Sequence, residues 1–216
     1  MEPFWSHMLP IPYYEKDGIA LYHGDCREIL PQFPPDIFDL VLTDPPYLVS
    51  YSGRWGSAWN PIEGDSDPSW VIPVYSELFR TLKQDSLCLT FYGWPHAETF
   101  LSSWRLVGFR PISVFVLVKR RIGLGTHQAF PFTPIKKPLG AVAQLLTAFS
   151  KDCSVVLDPF SGSGTTLLAA KACGRKAVGI EIEERFCEIT AMRLSQEVLQ
   201  FSECGVQTIQ TGEETL

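Results

Sequence analysis

What most constrains this chain is an alternation. Six short runs rich in Val, Ile, Leu and aromatic residues recur along it: GIALYHG (18–24), FDLVLTD (38–44), SLCLTFYG (86–93), PISVFVLVK (111–119), SVVLD (154–158) and KAVGIE (176–181). Between them lie stretches with apolar residues at helical spacing, at 26–33, 69–83, 96–108, 141–150, 165–174 and 184–200, with Pro73 leaving the start of the second unsettled. Strands this apolar, alternating with helices, are covered on both faces and pair mostly in parallel. The expected fold is therefore α/β, a single-domain, mostly parallel doubly wound sheet over residues 1–216. Residues 202–216 are polar and acidic and are expected to fray.

In such sheets ligands bind beyond the carboxyl ends of the strands. Two strand ends carry unusual residues. The first, VLTDPPY, closes a buried run with an acid, two prolines and a tyrosine. Pro-Pro ends any strand by removing ladder donors, and Asp-Pro opens ordinary turns, so a purely structural reading stands beside a functional one. The second, LDPFSGSGTT, has the form of strand, glycine turn and helix start. Gly162 and Gly164 allow a tight turn and close backbone approach to a ligand, and Thr165 or Thr166 can cap the helix. The turn is not a P-loop, since no Lys follows its last glycine, and it is not a full G-x-G-x-x-G. Glu181 ends the next strand, 17 residues after Gly164. An acid at that place can receive the ribose hydroxyls of an adenosine cofactor, or complement a helix N-terminus, or both.

Together these segments resemble one family. DPFSGSGTTLLAAKACGRKAVGIE is similar to the S-adenosylmethionine-binding segment of amino-directed DNA methyltransferases. TDPPY lies upstream and KKPLGAVAQLL just before the glycine turn, the motif order of that family's beta group. The resemblance spans roughly residues 19–194 and implies the Rossmann-like class I methyltransferase fold. It implies S-adenosylmethionine as cofactor, with Phe160, Gly162, Gly164 and Thr165 shaping its pocket and Asp158 nearby. Glu181 would hold its ribose, Asp25 would approach its adenine ring, and Lys137 would stand by its methionine end. For Asp25 a helix cap ahead of CREIL is an equal reading. No metal is implied.

The chemistry of the resembled reaction suits the residues. An exocyclic amino nitrogen is a poor nucleophile because its lone pair is delocalised into the ring. Asp44 and the carbonyl of Pro45 can each accept a hydrogen bond from it, and the Pro45-Pro46 step presents these acceptors with restricted φ. Tyr47 would stack on the base. Within the family, Asp before Pro-Pro leans toward adenine N6 and Ser toward cytosine N4, so adenine is expected and cytosine is the alternative. Double-stranded DNA is the implied partner, with the target base flipped out of the stack.

Charge supports that partner despite a net charge of -6. Residues 99–151 hold no acid and eight of the 18 Lys and Arg, including Lys119, Arg120 and Arg121, which favours a phosphate-facing side. The loop at 48–68, expected to be mobile, places Tyr51, Arg54, Trp55 and Trp59 among glycines and serines as DNA contacts; packing over the core is the alternative. The six cysteines show no C-x-x-C pair, which argues against zinc or a disulfide framework. No signal peptide or bilayer-spanning segment is evident, so a cytoplasmic protein is expected, without membrane association.

The chain also departs from the family. Only residues 119–136 stand where a target-recognition region is usual, and Thr133, Pro134 and Ile135 replace the usual His-Pro-Thr. Three readings follow: loosely specific methylation, recognition supplied by a homodimer partner or separate subunit, or a catalytically impaired binding protein. His127 reads as a surface residue. Methylation of a protein glutamine or an RNA amine is a further alternative, disfavoured because those enzymes carry the two motifs in the opposite order. A short enzyme of this kind suits a phage, prophage or restriction-modification setting.

Overall fold

The structure is a computed structural model, and it describes residues 10–49, 65–114 and 137–196. The described residues build a six-stranded sheet in the order β1-β2-β6-β5-β3-β4. Its strands are β1 (Tyr14–Lys16), β2 (Ile19–His23), β3 (Phe38–Thr43), β4 (Leu82–Thr90), β5 (Val155–Asp158) and β6 (Lys176–Glu181). All neighbours pair in parallel except β1 and β2. That antiparallel edge hairpin goes beyond the sequence expectation. It turns on Asp17 and Gly18, both at positive φ (54° and 77°), the conformation a two-residue hairpin loop needs.

Side chains alternate across the strands and so divide the core in two. Val41, Leu157 and Val178 face one layer with Phe38, while Leu40, Leu42, Val156 and Ala177 face the other. The first layer packs under α1 (Cys26–Ile29), α2 (Val71–Thr81) and α3 (Ala97–Val107), contributing Val74, Tyr75, Leu78, Phe100 and Trp104. The second packs under α4 (Leu139–Phe149), α5 (Thr165–Ala172) and α6 (Glu184–Ser195), through Val142, Leu146, Leu167, Ala169, Ala170 and Leu194. Helices cover both faces, as expected of a doubly wound sheet.

Some boundaries differ from expectation. Pro73 is the third residue of α2, inside the first turn where its missing N–H costs nothing, so the helix begins at Val71. β4 begins at Leu82, earlier than the apolar run, and its register with β3 shifts between Phe38 and Leu40 around Asp85, which sits at φ 60°. Residues 111–114 of the expected strand PISVFVLVK are irregular rather than extended in the sheet; its remainder lies outside the described residues, as do residues 197–200 of the last helix.

From β3 the chain runs outward to β4, whereas from β5 it runs the opposite way to β6. β3 and β5 are hydrogen-bonded neighbours, pairing Leu40 with Val156 and Val41 with Leu157. The topological switch point therefore lies between them, and their carboxyl ends are the TDPPY and DPFSGSG segments.

Candidate active site

The two strand ends are tied together. Thr43, the last residue of β3, donates its hydroxyl to Asp158 Oδ1 at 2.8 Å, and Phe91, just past β4, donates its amide to the Thr43 carbonyl at 3.0 Å. Asp158 is 3% exposed. Burial raises its pKa to about 6, the hydroxyls of Thr166 and Thr43 and the Phe160 amide oppose the rise, and the charge of Asp44 adds to it. Asp44 and Asp158 are thus close enough to feel each other.

Asp44 itself is held by this chain's own donors. Tyr47 donates its hydroxyl to Oδ1 at 2.5 Å, and the Lys137 ammonium lies 2.9 Å from Oδ1 and 2.7 Å from Oδ2. Lys137 also donates to the Tyr47 hydroxyl at 2.8 Å and sits 4.6 Å from the centre of the Phe91 ring. Burial first, then the Asp44 charge and hydrogen bond, keep the Tyr47 hydroxyl protonated far above its ordinary range. Pro45 is buried, and Leu48 just after the motif is buried at φ 63°, a costly conformation for a branched side chain. The sequence expectation has Tyr47 stacking on a base; here its hydroxyl is turned onto Asp44.

The glycine turn is clamped from outside. Gly162 and Gly164 stand at φ 51° and 77°. Thr190 of α6 donates to the Gly162 carbonyl at 3.0 Å, and Arg193 of α6 donates to the Ser163 carbonyl. Glu181 Oε2 accepts the Gly162 amide at 2.7 Å and Oε1 the Glu183 amide at 2.9 Å. Burial raises the Glu181 pKa, and those two amides oppose it. Gly164 is the cap of α5 and has no side-chain cap bond, so Thr165 is the first helical residue and does not cap it, and Thr166 turns back to Asp158 instead. Phe160 packs its ring 5.1 Å from that of Trp70. Asp25 caps α1 through the Arg27 amide at 2.8 Å and pairs with the Arg27 guanidinium, whose hydrogen bond is the first cause of its lowered pKa.

The structure thus gathers Asp44, Pro45, Pro46, Tyr47, Lys137, Asp158, Phe160, Gly162, Gly164, Thr165 and Glu181 at the carboxyl ends of adjoining strands. Tyr51, Arg54, Trp55, Trp59, Lys119, Arg120, Arg121, His127 and residues 133–135 lie outside the described residues. Thr43, Phe91, Thr190 and Arg193 escape sequence reasoning, and Thr166 is read there only as a possible helix cap. A Thr before the Asp of TDPPY is the one signal; the two α6 residues carry none.

A side chain at Gly162 would meet no atom of the described residues within 4 Å, so the turn is open there. The Ser161 hydroxyl is buried and has no hydrogen-bond partner among the described residues. No helix among the described residues is long and apolar enough to cross a membrane.

Comparison with known proteins converges on one chemistry. The family model described as DNA methylase, N6_N4_Mtase, matches residues 113–192. The methylase YubD of Escherichia coli (strain K12) is 32% identical over 203 residues, covering 80% of this chain and 88% of that protein. Type II methyltransferase M.ScaI of Streptomyces caespitosus is 27% identical over 259 residues, covering 86% and 84%. Among solved structures, the DNA modification methylase TTHA0409 of Thermus thermophilus, complexed with S-adenosyl-L-methionine, superposes with a TM-score of 0.60 at 25% identity, covering 84% of this chain and 95% of that one.

Proposed function

The chain belongs to the N6/N4 family of S-adenosylmethionine-dependent DNA amino-methyltransferases, and from that premise we propose that it methylates the N6 amino group of an adenine flipped out of double-stranded DNA. The observation that supports the reading is the Thr43 to Asp158 hydrogen bond, which ties the strand end leading into Asp44 to the one leading into the glycine turn, at the switch point of the sheet.

S-adenosylmethionine supplies an electrophilic sulfonium methyl when bound. The residues present fit it: Gly162 leaves open space at the turn, and the buried Ser161 hydroxyl has no partner among the described residues. Phe160, Gly162, Gly164, Thr165 and Lys137 would hold its methionine end, with Glu181 toward the ribose and Asp25 toward the adenine. Because both Glu181 oxygens already accept backbone amides, its remaining lone pairs are what it offers to hydroxyls.

Asp44 and the Pro45 carbonyl do the work on the base. Each accepts one N–H of the target amino group, which favours a localised nitrogen lone pair aimed along the line of methyl transfer. Two prolines hold these acceptors before the base arrives. Extruding the base costs on the order of a few kcal/mol, which the aromatic loop and the basic segment Lys119, Arg120 and Arg121 would offset by stacking and phosphate contact. Tyr51, Arg54 and Trp55 are the proposed loop contacts. We read the chain as one domain working in the cytoplasm, with residues 119–136 too short to recognise a site unaided, so that loose specificity or a second chain is expected. Asp44 favours adenine over cytosine N4.

Incubation of mixed-sequence DNA with methyl-labelled S-adenosylmethionine, followed by nucleoside mass analysis, tests this. N6-methyladenine formed by the native chain and lost in Asp44→Ala is the expected outcome. N4-methylcytosine would reassign the base, and equal or absent signal in both proteins would leave a catalytically impaired binding protein of the same fold.

A further inference from the structure

The acceptor that the reaction needs is already satisfied by a lysine. A carboxylate offers about four acceptor positions. On Asp44, Tyr47 takes one and Lys137 reaches both oxygens, at 2.9 and 2.7 Å. The pair is partly sheltered, with Lys137 20% and Asp44 37% exposed at the side chain. The ammonium is further steadied by the Tyr47 hydroxyl at 2.8 Å and by the Phe91 ring. An incoming amino group is neutral, and a charge-assisted bond from lysine is roughly twice as strong as a neutral one. While Lys137 stays, the base competes for Asp44 at a disadvantage.

Lys137 stands at a joint. It immediately precedes Pro138, the N-cap of α4, whose first turn is exposed. An anion at that turn would meet the positive end of α4 and would attract the ammonium away from Asp44. The cofactor assigned above has one anionic group, its α-carboxylate. We propose that Lys137 is a positioning residue that passes from Asp44 to the cofactor's carboxylate, so that cofactor binding releases Asp44 to accept the target amino group. The inference rests on the methyltransferase reading. It makes the amino-acid end of the cofactor, and not its adenosine, the part that couples the two ligands.

The test uses a duplex that the native chain methylates, with affinity measured by fluorescence anisotropy at saturating S-adenosylhomocysteine, at saturating 5′-methylthioadenosine, which lacks the amino-acid end, and with neither. For the native chain, S-adenosylhomocysteine is expected to tighten duplex binding about tenfold, a usual size for coupling between sites, and methylthioadenosine less than about threefold. Lys137→Met is expected to bind the duplex equally in all three conditions, and Lys137→Arg to keep the native gain. Asp44→Asn, which removes the other partner of the pair, is expected to bind S-adenosylhomocysteine by calorimetry yet show no gain in duplex affinity. A native-sized gain in either Lys137→Met or Asp44→Asn, or equal coupling by methylthioadenosine, would overturn the proposal while leaving the methyltransferase reading intact. A native chain that methylates no duplex would instead remove that reading, and this inference with it.

Discussion

Two glycines two residues apart should respond to the same substitution in opposite ways. Both Gly162 and Gly164 hold positive φ, so alanine at either position costs about 1 to 2 kcal/mol of backbone strain. Their surroundings differ. A Cβ on Gly164 would stand 2.4 Å from Thr190 Cγ2, 2.8 Å from its Oγ1 and 3.1 Å from its Cβ, so no rotation of that side chain clears it. Thr190 is fully buried and donates to the Gly162 carbonyl, which leaves it no cheap retreat. Overpacking of this kind adds about 1 to 3 kcal/mol, giving roughly 2 to 5 kcal/mol for Gly164→Ala against about 1 to 2 for Gly162→Ala. Urea unfolding with an unchanged m-value reads the difference. Calorimetry with S-adenosylmethionine should rank them the other way, because the Gly162 methyl enters the open space assigned to the cofactor while the Gly164 methyl points at α6. The clash can be isolated with Thr190→Ala: the double variant Gly164→Ala, Thr190→Ala should be more stable than the sum of the single changes by about 1 to 3 kcal/mol. Additivity within about 0.5 kcal/mol, or equal destabilisation at the two glycines, would refute the assignment of one glycine to packing and the other to the ligand.

Further predictions concern the groups around the turn. Asp158 has a folded pKa raised to about 6 from the ordinary carboxyl value of 3.8, so the folded chain holds a proton more tightly than the unfolded one and loses stability as pH rises through that window. Asp158→Asn should flatten that fall, with stability relative to the native chain improving between about pH 4 and pH 7 by on the order of 1 to 3 kcal/mol in urea unfolding. Thr43→Val removes one hydroxyl donor from that carboxylate and should cost about 1 to 2 kcal/mol at about pH 8 and less at about pH 4, where Asp158 is protonated in both proteins. Arg193→Met frees the Ser163 carbonyl and should weaken S-adenosylmethionine binding by about tenfold while the unfolding transition stays cooperative. Burial pushes the thiols of Cys26, Cys88 and Cys187 up to about 12, so at about pH 8 a thiol reagent should modify exposed Cys153 well before them, as peptide mass mapping would show.

How much of this is legible in the sequence follows from the range of the interactions involved. The parallel sheet is legible because strand burial on both faces writes itself as nearly continuous apolar runs, and β3, β5 and β6 carry them, with Asp39 the one acid inside β3. The edge hairpin escapes notice although Asp17-Gly18 carries its signature, because Tyr14–Lys16 has the polar composition of an edge. The apparent cap at Thr165 fails for a geometric reason: Gly164 in the left-handed region already makes the turn into α5, and the threonine that finds a buried acceptor is Thr166.

Within the site, residue types are legible and partners are not. That Asp44 follows a buried strand and that Glu181 ends another can be read from order alone. That Lys137, 93 residues after Asp44, places its ammonium on that carboxylate cannot, since nothing in local spacing encodes it. The same limit applies to Glu181, whose Oε2 accepts the Gly162 amide across the turn. Each acid therefore has a binding partner within the protein. The switch point between β3 and β5 makes this unavoidable: it brings the carboxylates of Asp44 and Asp158 to one sheet end, and a fold that gathers acids there needs cations and amides of its own to hold them. Lys137 and the backbone of the glycine turn supply them, through the ammonium on Asp44, the Phe160 amide on Asp158 and the Gly162 amide on Glu181.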